Sequence, residues 1–204
     1  MQLEDEGRLL TTREDALYDE REKYEAIWTH EQYQNSGSPG SYWAERAFRP
    51  ITRARPPAYV LDLGCGAGAG ASTLRGNGFR VAGLDLVSAQ FKLDDVPFFE
   101  QTLWEPIPLN PATGRKWSYG FCCDVMEHLP TEYVDPALAC MAKACNRVFF
   151  SISHMHDKGG VLIGKPLHLT VKPFEWWVAK LKEHFGEIAH GRDLIGEGLY
   201  FVKS

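Results

Sequence analysis

The run Val60-Leu61-Asp62-Leu63-Gly64-Cys65-Gly66-Ala67-Gly68 constrains the fold more than any other stretch of this chain. A mostly apolar, strand-like segment leads into three closely spaced glycines and then into Ala69–Gly76, which reads as a helix start. Glycines let the backbone turn tightly and approach a ligand, and the free N–H groups of a helix start face the same place. In an open α/β sheet, that place is the crevice beyond the carboxyl end of the strand. The run therefore predicts a parallel sheet with a nucleoside-binding crevice at this turn.

Further strands are expected at Arg80–Leu84, Val96–Phe99, Tyr119–Cys123 and Arg147–Ile152. A helix is expected over Pro136–Cys145, with Asp135 as its N-cap and Pro136 as its first residue. Strands and helices that alternate in this way imply βαβ units. The tail breaks the alternation: a helical Pro173–His184 precedes two strand-like runs, Glu187–His190 and Gly198–Val202, around a Gly-containing turn, as at an antiparallel edge. Ahead of the sheet, apolar residues recur at Leu17, Tyr24, Ile27 and Trp28, which predicts one or two amphipathic helices between Leu9 and Gln34. Residues 35–40 break them, and a helix over Tyr42–Phe48 is expected to end before Pro50.

The chain has 204 residues, enough for one full-sized core. A single domain is expected: residues 1–57 as a helical extension that forms a lid, and residues 58–204 as the core. The net charge of −5 and the sparse arginines of Arg49–Arg55 argue against strong nonspecific binding to nucleic acid. The acidic start, Met1–Glu6, is unlike a signal peptide and no apolar run is long enough to span a bilayer, so no membrane partner and a cytoplasmic location are expected. Five cysteines, none in a C-x-x-C pair, suit a reducing compartment and point to no zinc site.

Gly64-x-Gly66-x-x-Ala69 also fits a dinucleotide fingerprint, with Asp85 about twenty residues on. Asp62 argues against it, because a carboxylate facing the crevice would repel a pyrophosphate. S-adenosylmethionine has no phosphate and carries an ammonium and a sulfonium. The segment Asp124-Val125-Met126-Glu127-His128-Leu129-Pro130, after the fourth strand, separates the readings further.

Together with Val60–Gly68, Gly83-Leu84-Asp85-Leu86 and Thr102-Leu103-Trp104-Glu105-Pro106-Ile107-Pro108, that segment resembles the successive motifs of class I S-adenosylmethionine-dependent methyltransferases, in order and spacing. The likeness spans Tyr59 to Ser204 and is nearest to the small-molecule type, including quinone-biosynthesis enzymes and uncharacterised phage and bacterial members. It implies an α/β, Rossmann-like, doubly wound mixed sheet of seven strands with the last one antiparallel. It implies S-adenosylmethionine as cofactor and S-adenosylhomocysteine as product. Gly64, Cys65 and Gly66 would line the methionine moiety near Asp62, and Asp85, followed by Leu86, would accept from the ribose hydroxyls. Thr102 stands where the family often has Asp for the adenine amino group, with the Leu103 amide as donor to the ring. Cys123 and Asp124 would approach the amino-acid end.

The sulfonium is already an excellent leaving group, so alignment and water exclusion carry most of the catalysis. A base is needed only where the acceptor must lose a proton; His154, His156 and Asp124 are the candidates, the two histidines sharing one face if their segment is a strand. Glu127 and His128 read as packing beside the crevice. Tyr33 and Tyr42 of the lid, His168 and Trp176 are the candidate acceptor contacts, suited to a small-molecule or nucleotide-like acceptor. The Asn/Asp/Ser-Pro-Pro-Tyr/Phe tetrapeptide of exocyclic-amine DNA methylation and the Pro-Cys of cytosine C5 methylation do not occur at the corresponding sites. An NAD(P)-dependent oxidoreductase and a non-catalytic adenosylmethionine-binding protein are the alternatives; a homodimer is compatible with the sequence.

Overall fold

Burial on both faces fixes the centre of the sheet. In the computed structural model, which describes residues 13–35, 37–192 and 198–204, strand β1 (Tyr59–Leu63) is buried from Val60 onward, β4 (Tyr119–Cys123) throughout, and β5 (Arg147–Ile152) from Val148 onward. Mostly apolar strands buried on both faces in this way suit parallel pairing under helices on both sides. The strands β2 (Arg80–Asp85), β3 (Phe98–Glu100), β6 (Glu187–Arg192) and β7 (Gly198–Lys203) complete a seven-stranded sheet in the order β3-β2-β1-β4-β5-β7-β6. The first five are parallel, and β7 is antiparallel to both β5 and β6. The expected mixed sheet with its antiparallel last strand is thus observed, while the Gly-containing turn expected between β6 and β7 lies largely outside the described residues. The strand order reverses between β1 and β4, and a crevice forms at such a switch point.

Strand alternation divides the core. Leu61, Leu63, Leu84, Phe150 and Val202 face a layer built from α6 (Thr131–Ala144) and α7 (Phe174–His184), with Met141, Leu138, Trp177 and Leu181 buried there. Val60, Val81, Phe121 and Phe149 face α5 (Ala69–Gly76) and the segment before β1. Phe48 from that segment is fully buried and meets Phe79, Tyr119, Phe121 and Phe149 edge-on at 5.4–6.1 Å between ring centroids, a favoured aromatic geometry. Residues 39–54 therefore pack as a layer of the core, and the part of the extension that crosses the crevice is α1 (Arg13–Ile27) with α2 (Glu31–Gln34).

Three of the boundaries that differ from expectation involve a proline. The helical segment that starts with α3 (Pro39–Trp43) does not end before Pro50. It widens into π-turns over Ala44–Phe48, passes into α4 (Arg49–Thr52), and stops at Arg53 with φ 56°. The wider turns accommodate the N–H that Pro50 lacks. Helix α6 starts at Thr131, directly after Pro130, and carries Pro136 in its second turn. The carbonyl left without a donor there is that of Glu132, on the exposed side, where water can serve it. Asp135 is consequently not an N-cap: it accepts from Lys180 at 2.8 Å and bonds His184 at 2.9 Å, tying α6 to α7. Strand β3 begins at Phe98 because Pro97 cannot donate to the ladder, although its carbonyl accepts from Gly83. No described helix is long and apolar enough to cross a membrane.

Candidate functional site

The glycine turn closes against the end of β2: the N–H groups of Gly64 and Cys65 donate to the Leu84 carbonyl at 2.8 and 3.1 Å. Gly64 has φ +76°, and a Cβ there would lie 2.5 Å from the Val125 side chain; at Gly66, φ +52°, it would lie 3.0 Å from the Trp28 ring. Glycine at 64 lets the loops after β1 and β4 meet, and glycine at 66 lets the extension lie on the turn.

Asp85, at the end of β2, accepts from the Gly66 N–H at 2.8 Å and the Val87 N–H at 3.3 Å. Burial raises its pKa, and these N–H donors oppose the rise. Asp62 faces α5, is 4% exposed, and accepts from the Ala71 N–H, but its Oδ2 has no partner. Burial, then the charge of Asp85, pushes its pKa up to about 7. The buried hydroxyl of Thr102 is also without a partner. These buried oxygens face spaces that a polar ligand would complete.

Two adjoining hollows run along the carboxyl ends of the strands. One is lined by Gly64, Gly66, Asp85, Leu86, Thr102 and Leu103. The other is lined by Asp62, Gly64, Cys65, Gly66, Gly70 and Cys123. They share Gly64, Gly66 and Asp124 as floor and Trp28 and Tyr33 as roof. The roof rings meet edge-on at 5.1 Å, and burial, with the charge of Asp124 next, pushes the Tyr33 hydroxyl up to about 12. Helix α1 is held over the crevice by a hydrogen bond between the Tyr24 hydroxyl and His128 Nδ1 at 2.7 Å and by Arg21 on Glu100 at 2.5 Å. Glu20 and Lys23 form a buried pair at 2.6 Å beside it. Tyr24→Phe leaves the buried His128 Nδ1 without its partner, so the protein should lose about 1–2 kcal/mol of stability in a denaturant titration.

The expected cofactor residues Asp62, Gly64, Cys65, Gly66, Asp85, Leu86, Thr102, Leu103, Cys123 and Asp124 all border these hollows, as does Tyr33. The Cys65 thiol turns away: a Cβ on Gly83 would lie 2.8 Å from its sulfur, so the backbone of residue 65 is what borders the ligand space. The other candidates are not brought there. Strand β5 ends at Ile152, so the strand alternation expected to align His154 and His156 is missing. His154 turns to the Lys172 carbonyl at 2.9 Å and to Phe174, while His156 is exposed. Tyr42 is 43% exposed and packs on Trp43 and Arg46. Trp176 packs on Trp177 between Lys172 and Lys180. His168 lies beside the crevice against His128, with ring centroids at 4.5 Å. The residues missing from the sequence-based site are Glu20, Tyr24, Trp28, Gln101, Trp104, Val125, His128 and Leu129, all lining the first hollow. Tyr24 and Trp28 stand four apart on or just beyond one helix, so one face carries both, a signal available in the sequence.

The order of the sheet and the crevice at its reversal define the architecture of class I methyltransferases. A family model described as a methyltransferase domain matches residues 40–193, and the chain belongs to that family, whose cofactor is S-adenosylmethionine. Solved structures similar in fold include the Burkholderia thailandensis 1,6-didemethyltoxoflavin-N1-methyltransferase with 1,6-didemethyltoxoflavin and S-adenosylhomocysteine bound (TM-score 0.66, 14% identity, 96% of this chain and 92% of that one). The N-methyltransferase NodS of Bradyrhizobium japonicum WM9 with S-adenosylhomocysteine is another (0.62, 12%, 91% and 98%). A third is the DhpI complex with S-adenosylhomocysteine (0.60, 20%, 93% and 95%). Among curated proteins, none matches this chain by sequence.

Proposed function

We propose that this protein transfers a methyl group from S-adenosylmethionine to a small-molecule or nucleotide-like acceptor held under Tyr24, Trp28 and Tyr33. One observation carries the reading: the two hollows meet at Gly64, Gly66 and Asp124, directly beneath the Trp28 and Tyr33 rings. Asp85 would hold the ribose diol by charge-assisted hydrogen bonds. Thr102 and Leu103 would border the base, and Asp62, with its unpartnered Oδ2, would face the amino group of the methionine end. On this reading the reacting carbon lies at the junction, beneath the Trp28 and Tyr33 rings. The bound sulfonium supplies the leaving group, while the chain orients the two reactants and keeps the site dry.

Aromatic walls favour a flat ring as acceptor. The bound 1,6-didemethyltoxoflavin of the Burkholderia enzyme supports a small acceptor on this architecture. His154 and His156 have no part in this reading.

Limited proteolysis tests the roof: saturating S-adenosylhomocysteine should slow cleavage in the segment up to about Gly40, because bound ligand stabilises the closed arrangement by mass action. Unchanged cleavage would remove the extension from the site.

A further inference from the structure

Beside the crevice, four side chains turn ligand atoms toward one another. One atom each from Asp124, Glu127, His128 and His168 lies within 4.8 Å of the others. Glu127 is fully buried; its Oε1 accepts from the Ser153 N–H at 2.7 Å, and its Oε2 has no donor. His128 is buried with Nδ1 bonded to the Tyr24 hydroxyl, and its Nε2 has no partner. His168 Nδ1 lies 2.6 Å from the Met155 carbonyl. A carbonyl only accepts, so His168 Nδ1 carries the proton and Nε2 presents a lone pair.

These outer bonds have the pattern that fixes metal-binding histidines: the far ring nitrogen is engaged and the near one left free. The chain also brings the distant His168 into place by design of its loop. Asp157 accepts from the N–H groups of Leu167 and His168 at 2.9 and 3.1 Å, and the N–H groups of Leu169 and Thr170 both donate to the Glu127 carbonyl at 2.8 Å.

We propose that Asp124, Glu127, His128 and His168 bind one divalent first-row transition ion at the edge of the crevice, through the two histidine Nε2 atoms and one oxygen of each carboxylate. A proton shared between the carboxylates would answer Glu127 but leave His128 Nε2 buried and unmatched, whereas a cation answers all four. Metal bonds to such ligands are about 2.0–2.2 Å, so the ligand atoms of a four-coordinate ion lie about 3.3–3.6 Å from one another. The four atoms already lie within 4.8 Å of one another, and a small inward turn of the side chains would close them on the ion. Two imidazoles with two carboxylates favour zinc, iron, cobalt or manganese over magnesium.

Asp124 also floors both hollows, so the ion borders the acceptor space. There it would bind the acceptor's hydroxyl or amine and ease loss of its proton to solvent before the roof closes over the two reactants. The freed lone pair forms the new bond to the methyl carbon as the carbon–sulfur bond breaks, and that electron pair neutralises the sulfonium. This role rests on the methyl-transfer reading; the ion's site does not.

Chelator-stripped protein titrated with Co²⁺ tests the site by its visible absorption and by calorimetry. One ion per chain is expected, in a low-coordinate spectrum, with affinity lower in His168→Ala and in Glu127→Gln by at least about a hundredfold, the upper end of the effect of losing a mere outer partner of a ligand, and S-adenosylhomocysteine affinity in His168→Ala unchanged. His184→Ala, which alters the surface cluster of Asp135, Glu183 and His184, should bind as wild type. Absence of stoichiometric Co²⁺ in protein that still binds S-adenosylhomocysteine would overturn the proposal, as would loss of the ion in His184→Ala but not in His168→Ala. Co²⁺ uptake lost in His168→Ala without any binding of S-adenosylhomocysteine would uphold the site and overturn only the cofactor reading.

Discussion

Asp85→Ala is expected to weaken S-adenosylhomocysteine binding by about 2–4 kcal/mol, from two charge-assisted hydrogen bonds lost, or about 30- to 1000-fold in dissociation constant. Asp85 serves twice. It accepts from the Gly66 N–H and so holds the glycine turn in shape, and it offers a carboxylate to a vicinal diol. Asp85→Asn separates the two: the amide oxygen can keep the Gly66 bond while the charge is gone, so an intermediate loss is expected. Calorimetry on both variants checks this. An unchanged constant in Asp85→Ala would mean that the ribose is held elsewhere.

The second large effect concerns stability and pH. An aspartate in an unfolded chain titrates near 3.9, whereas burial pushes Asp62 up to about 7 in the folded, ligand-free protein. Below about pH 4, Asp62 is protonated in both states and contributes no penalty. Between about pH 4 and 7 only the unfolded state gives up the proton, so wild type loses stability as pH rises; above that window a constant penalty of up to about 4 kcal/mol remains. Asp62→Asn removes the ionisation. The variant should match wild type near pH 4 and exceed it by a few kcal/mol near pH 8, in denaturant titrations without ligand. It should also bind S-adenosylhomocysteine more weakly, since the ligand's ammonium loses its counter-charge. A stability difference that is the same at both pH values would show that Asp62 ionises normally.

Local rules made the sheet and the floor of the crevice legible. Apolar runs alternating with helical stretches gave β1, β2, β4 and β5, and Asp62, Asp85 and Asp124 follow from their places at strand ends. What stayed hidden depends on long-range packing. Phe48 carries no sign in its own neighbourhood that it will meet rings from β4 and β5. His128 read as packing because its partners, Tyr24 and His168, lie 104 and 40 positions away. His154 and His156 invited a strand reading that fails where β5 ends at Ile152. The helix boundaries near Pro50 and Pro136 went astray because a proline excludes one hydrogen bond, and an exposed carbonyl or a wider turn can tolerate that loss.

The most direct measurement gives the protein methyl-labelled S-adenosylmethionine together with a cell extract, then separates small molecules from macromolecules by filtration. Protein-dependent label is expected in the small-molecule fraction, and Asp85→Ala should deposit much less of it. Label confined to protein or nucleic acid would contradict an acceptor enclosed beneath Trp28 and Tyr33, and no transfer in either fraction would leave a binder rather than an enzyme.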